Sequence, residues 1–131
     1  MIGLDTNVLL RYLMQDDPRQ SAQATKLIED RLTIAEPGFI STVAMAETAW
    51  VLQRSYGRSS ADIAAAIERT LQSDVLAVEA EQEVFDAMVA VREGRGSFAD
   101  ALIAGLGRSA GCSYTVTFDR KALRLPGFAA L

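Results

Sequence analysis

Met1-Ile2-Gly3-Leu4-Asp5-Thr6-Asn7-Val8-Leu9 decides the fold class. Its first four residues form a short apolar run that reads as a buried strand. The run ends at Asp5, and Thr6 to Leu13 then reads as a helix with Asp5 or Thr6 as its cap. The same step recurs along the chain. After the turn residues Pro37-Gly38, Phe39-Ile40-Ser41 reads as a second strand, and Thr42 to Tyr56 as a helix that Gly57 stops. Val75 to Val78 reads as a third strand. Glu79 to Glu93 follows as a helix, acidic at its start and basic near its end, as the helix dipole prefers. Tyr114-Thr115-Val116-Thr117 reads as a fourth strand that leads to Asp119, and Phe128 to Leu131 as an edge strand after Pro126-Gly127.

The remaining helices carry clear start signals. Asp17-Pro18 is an N-cap followed by proline at the first helical position, and Ala24, Leu27, Ile28 and Leu32 share one face. Ser59 or Ser60 caps a helix with the stripe Ile63, Ile67 and Leu71. Ser97 to Ala110, closed by Gly111, is apolar nearly all round, and such a helix is expected to be buried. Strands alternate with helices, and several strands read as apolar on both faces. That pattern predicts an α/β sandwich with a mainly parallel sheet, in a single domain over residues 1–131. Right-handed crossovers follow, with ligands beyond the carboxyl ends of the strands.

Composition narrows the chemistry. The 131 residues contain no histidine and one cysteine, Cys112. Histidine acid–base chemistry, serine and cysteine triads and most zinc sites are thereby excluded, as is an internal disulfide. No basic-plus-apolar signal opens the chain, and no apolar run approaches the roughly 20 residues that span a bilayer. The expectation is a cytoplasmic protein with no membrane partner. The net charge is −4, from 13 Lys plus Arg against 17 Asp plus Glu. An acidic balance points away from tight non-specific nucleic-acid binding. It is compatible with a nuclease whose metal neutralises part of the site.

Four carboxylates then stand out. Asp5 ends the first strand, as either a helix cap or a ligand. Glu47 shares a helical stripe with Val43, Trp50 and Val51, and a charge on a core-facing stripe is costly unless paired or metal-bound. Asp100 lies three residues after Ser97, a spacing that resembles a capping box. It is also the one acid of an apolar helix. Asp119 follows the fourth strand and reads alone as a turn residue. Strand ends and helix starts share one edge of a parallel sheet, so all four are expected to converge in one cleft. Clustered carboxylates repel unless a cation joins them. Oxygen-only ligands suit Mg²⁺ or Mn²⁺, which activate water and stabilise displacement at phosphorus. Thr6, Asn7, Thr42 and Thr117 are placed to orient ligands or water around them.

These residues resemble those of the PIN-domain nucleases. The resemblance rests on Ile2-Gly3-Leu4-Asp5-Thr6-Asn7-Val8-Leu9, Ile40-Ser41-Thr42 leading to Glu47, Phe98-Ala99-Asp100-Ala101-Leu102-Ile103, and Thr117-Phe118-Asp119. It covers essentially the whole chain and is closest to the VapC-type toxins of bacterial toxin–antitoxin pairs. It implies a three-layer α/β/α fold with a mainly parallel central sheet and a Mg²⁺- or Mn²⁺-dependent endoribonuclease acting on RNA. It also implies a homodimer neutralised by a VapB-like antitoxin. By motif position, Asp5, Glu47, Asp100 and Asp119 match the family's acidic quartet, catalytic and metal-binding. Many relatives carry a further Asp where this chain has Ser97, which puts an auxiliary role there in doubt.

Two groups of cations are candidates for RNA phosphates, against ordinary solvated surface: Arg120, Lys121 and Arg124 after Asp119, and Arg92, Arg95 and Arg108 around the Asp100 helix. Gly105-Leu106-Gly107 followed by Gly111 imitates a dinucleotide loop, but it lies within a helical run rather than after a strand. A haloacid-dehalogenase-type phosphatase would need an acid where Asn7 stands. The remaining rival is a non-catalytic PIN-like scaffold that binds RNA or a protein.

Overall fold

The computed structural model describes residues 1–131. β1 (Ile2–Gly3) leads through Leu4 and Asp5 into α1 (Thr6–Met14), which closes on Gln15 in the left-handed region. α2 (Pro18–Thr25) starts where Asp17 accepts a hydrogen bond from the Gln20 N–H, and it runs on into a π-helical turn over Lys26–Arg31. β2 (Gly38–Ile40) follows, then α3 (Thr42–Arg54) and α4 (Ser60–Leu71), then β3 (Leu76–Val78). α5 (Glu81–Arg92), α6 (Phe98–Ser109), β4 (Thr115–Thr117), a 3₁₀ turn over Ala122–Arg124 and β5 (Phe128–Ala130) complete the chain. The hydroxyls of Ser41, Ser59 and Ser97 cap α3, α4 and α6 by accepting from the N–H three residues on. Gly57 sits beyond the end of α3 at φ +62°, a conformation that disfavours a side chain.

Every strand pairing is parallel, in an α/β arrangement, as the alternation predicts. β1 pairs with β2 and β2 with β3, in the register Ile2↔Gly38 and Gly38↔Leu76. At Gly38 a Cβ would lie 2.9 Å from side-chain atoms of both Leu4 and Leu32, so those leucines would have to shift to admit one. β4 pairs with β5 in a separate two-stranded sheet. The hydrogen-bonded pairs thus fall into two parallel ladders. The expectation of strands buried on both faces fails for β1 and β4, each of which has an exposed apolar side chain. Ile2 is 47% exposed and Val116 51%.

The core joins helices to the first ladder. Leu9, Ile28, Ile40, Met45, Leu52, Ile67, Val84 and Met88 are its most completely buried large side chains. α3 turns a different face inward from the one its sequence suggests. Ala44, Met45, Thr48, Ala49 and Leu52 are buried, whereas Val43 is 75% exposed and Trp50 55%. The stripe that carries Glu47 is thus largely outward, and Glu47 itself is exposed. α3 is apolar on more than one side, so two stripes at helical spacing compete, and the one with the larger buried set prevails. α6 is likewise buried on one side only, with Ile103 52% exposed opposite Phe98, Ala101 and Leu102.

Candidate active site

Asp5 occupies the N-cap position of α1 with extended backbone, φ −75° and ψ 157°. Its carbonyl accepts from the N–H groups of Val8 and Leu9. Its carboxylate makes no capping hydrogen bond. The structural alternative for Asp5, a side-chain cap, is therefore not realised. Its carboxylate lies exposed at the carboxyl end of β1.

Asp100 is held by one half of a capping box. Its N–H donates to Ser97 Oγ at 3.1 Å, and its carboxylate accepts no bond from the Ser97 N–H in return. Asp119 is locked in a tight turn: its N–H donates to Thr117 Oγ1 at 2.9 Å, and its Oδ1 accepts from the Lys121 N–H at 2.8 Å. This is the turn role that its sequence position suggests. None of the chain's ion pairs involves Asp5, Glu47, Asp100 or Asp119.

A cleft of about 500 Å³ opens between α3, the start of α4, the α5–α6 connection and the segment after β4. Asp100 and Asp119 both line it. Asp5 and Glu47 are not part of this lining. Glu47 lies on α3 one turn before Trp50, which does line the cleft. No group of three or more acidic or sulfur side chains is close enough to hold a metal ion. The all-oxygen donor set suits a hard divalent cation in kind. In number, the cleft's two carboxylates suit an ion that keeps several waters, as Mg²⁺ does, rather than a closed protein cage.

The supporting residues divide. Thr6 is buried (4% exposed). Asn7 faces a different groove, which it lines with Arg11 and Gln20. Thr117 orients the Asp119 backbone, as described. Thr42 donates from its N–H and its hydroxyl to Glu79 Oε1, at 2.9 and 3.0 Å. These bonds, the backbone one foremost, hold the Glu79 carboxyl below its ordinary range. Glu79 had no signal in the sequence beyond its place at the end of a strand.

The cleft is basic although the chain is acidic. Arg58, Arg95, Lys121 and Arg124 line it, against only two carboxylates. Of the cations singled out in the sequence, Arg120 is not part of this lining. Arg92 pairs with Glu68 at 2.7 Å, and Arg108 donates to the Pro126 carbonyl at 3.0 Å. Arg95 Nε lies 2.9 Å from Glu93 Oε2, yet off the line of a hydrogen bond, and so stays buried without a hydrogen-bond partner. Arg58 and Trp50 were not legible as cleft residues, because their placement depends on how α3 and α4 meet.

Searches of curated proteins and of solved structures found no match. The family model described as PIN domain matches residues 2–127, nearly the full length. PIN domains are generally nucleases that use divalent metals. With parallel strands, interleaved helices and this match, the chain belongs to the PIN domain family.

Proposed function

We propose that this PIN domain is a Mg²⁺- or Mn²⁺-dependent endoribonuclease, the VapC-type toxin of a toxin–antitoxin pair, active as a homodimer and neutralised by a VapB-like antitoxin. The observation that carries the nuclease reading is the joining of Asp100 and Asp119 with four cations in one cleft. A phosphodiester needs both kinds of group: cations to hold its phosphates, and carboxylates to hold a metal. The toxin, dimer and antitoxin assignments rest on the family motifs.

In this reading Asp100 and Asp119 hold the ion from within the cleft. Asp5 and Glu47 are assigned the same work by motif position, and neither carboxylate is spent on an ion pair. A bound divalent ion supplies an activated water and neutralises charge at phosphorus. Arg58, Lys121 and Arg124 bind flanking phosphates. Thr117 holds the Asp119 turn and, through it, the direction of that carboxylate.

A second reading, a PIN-like scaffold that binds RNA without cutting it, is favoured by the position of Asp5 and Glu47 outside the cleft lining. One experiment separates the two. A total RNA pool is incubated with wild type and with Asp5→Asn, with and without Mn²⁺, and cut sites are mapped by sequencing. Discrete Mn²⁺-dependent sites that vanish with Asp5→Asn support the nuclease. RNA retention without any cut supports the scaffold.

A further inference from the structure

Trp50 is the only tryptophan of the chain, and it lies 55% exposed on the wall of the basic cleft. An indole left this open forgoes the burial that normally favours it. Arg54 stacks on it, with the guanidinium carbon 5.4 Å from the ring centroid. Arg54 follows by one helical turn, so α3 itself fixes the pair. The same cleft is lined by Arg58, Arg95, Lys121 and Arg124, of which only Arg95 has an acidic partner.

We propose that Trp50, backed by Arg54, is the platform on which a base of the bound strand stacks, while Arg58, Lys121 and Arg124 hold the adjacent phosphates. The inference rests on the nuclease reading of the cleft and adds to it a positioning residue outside the acidic set. An aromatic face with cations beside it fits single-stranded nucleic acid, because only an unpaired strand can present a base face to a side chain. A duplex keeps those faces within its own stack. The arrangement also resolves the charge problem: binding depends on the local excess of cations, not on the net charge of −4.

The test uses the full chain and a short 2′-O-methyl RNA, which binds without being cut. Because Trp50 is the sole tryptophan, intrinsic fluorescence reports this one position. The single strand is expected to quench its emission, and the matching duplex to leave it nearly unchanged. Measured by anisotropy of a labelled strand, Trp50→Ala should bind roughly 5- to 150-fold more weakly, with Trp50→Phe recovering most of the loss. Arg58→Gln and Lys121→Gln should each lower the salt slope of binding by about 0.7. Binding with unaltered emission and undiminished affinity in Trp50→Ala overturns the inference, even if the protein cuts RNA. So does an emission change that follows protein concentration without RNA, which would mark the surface as a contact between copies. A full stacking response without cleavage of unmodified RNA supports the platform and contradicts the nuclease reading instead.

Discussion

The Asp100 N–H donates to Ser97 Oγ at 3.1 Å, and the Asp100 carboxylate makes no return bond. Two jobs that the sequence joins in one motif are thereby divided between two residues. Ser97 starts the helix, and Asp100 keeps its carboxylate for the cleft. Ser97→Ala should therefore cost about 1 kcal/mol of stability, the ordinary worth of a helix cap. Asp100→Asn should change stability by less than about 0.5 kcal/mol while abolishing cleavage. Denaturant melts of both variants, beside RNA cleavage assays, check the division.

Asp5 gives a parallel case. It stands at the N-cap of α1 without using its side chain there. Asn is as good a cap residue as Asp. Asp5→Asn should thus melt with the wild type and lose cleavage. A variant that cuts at the wild-type rate would make Asp5 a spectator of the chemistry.

Thr42 and Glu79 tie the start of α3 to the end of β3, and the bonds favour the ionised carboxylate. Because the folded pKa lies below the unfolded one, this contribution is fully present above the ordinary glutamate range. It is lost as pH falls through the folded value. Glu79→Gln should melt below wild type at neutral pH, and the gap should close as pH falls below the ordinary glutamate range. Thermal melts across that range provide the check. A constant gap would mean that the charge of Glu79 contributes nothing.

The inward face of α3 is testable by a pair of substitutions. Leu52 is 1% exposed, and Leu52→Ala should cost about 2–5 kcal/mol. Val43 is 75% exposed, and Val43→Ser should cost less than about 0.5 kcal/mol. Chemical denaturation measures both.

These pairs mark what the sequence discloses. The strand–helix alternation, the Asp17-Pro18 start, the serine caps and the Gly57 stop are local, and each is legible because a few neighbouring residues determine it. The parallel pairing follows from the connecting helices. The separation of β4 and β5 from the first ladder does not, since it depends on packing between segments far apart in the chain. Glu47 is the instructive case. Val43, Trp50 and Val51 form a stripe as regular as the buried one, and spacing alone chooses neither. Glu47 is exposed and needs no partner on grounds of burial, so its candidacy rests on motif position. Asp100 and Asp119 both line the cleft. That cleft's basic character was hidden by net charge, because Arg58, Arg95, Lys121 and Arg124 come from three separate stretches.

In the proposed mechanism, carboxylates of this cleft hold a divalent ion for phosphodiester cleavage. Its most direct test is the initial rate of cleavage of a defined single-stranded RNA, titrated with Mn²⁺ for wild type, Asp100→Asn and Asp119→Asn. The expected result is saturable activation of wild type, no cleavage in excess EDTA, and loss of activity or a strong rightward shift of the titration in both variants. Undiminished cleavage in EDTA, or the same Mn²⁺ dependence in all three proteins, would contradict it.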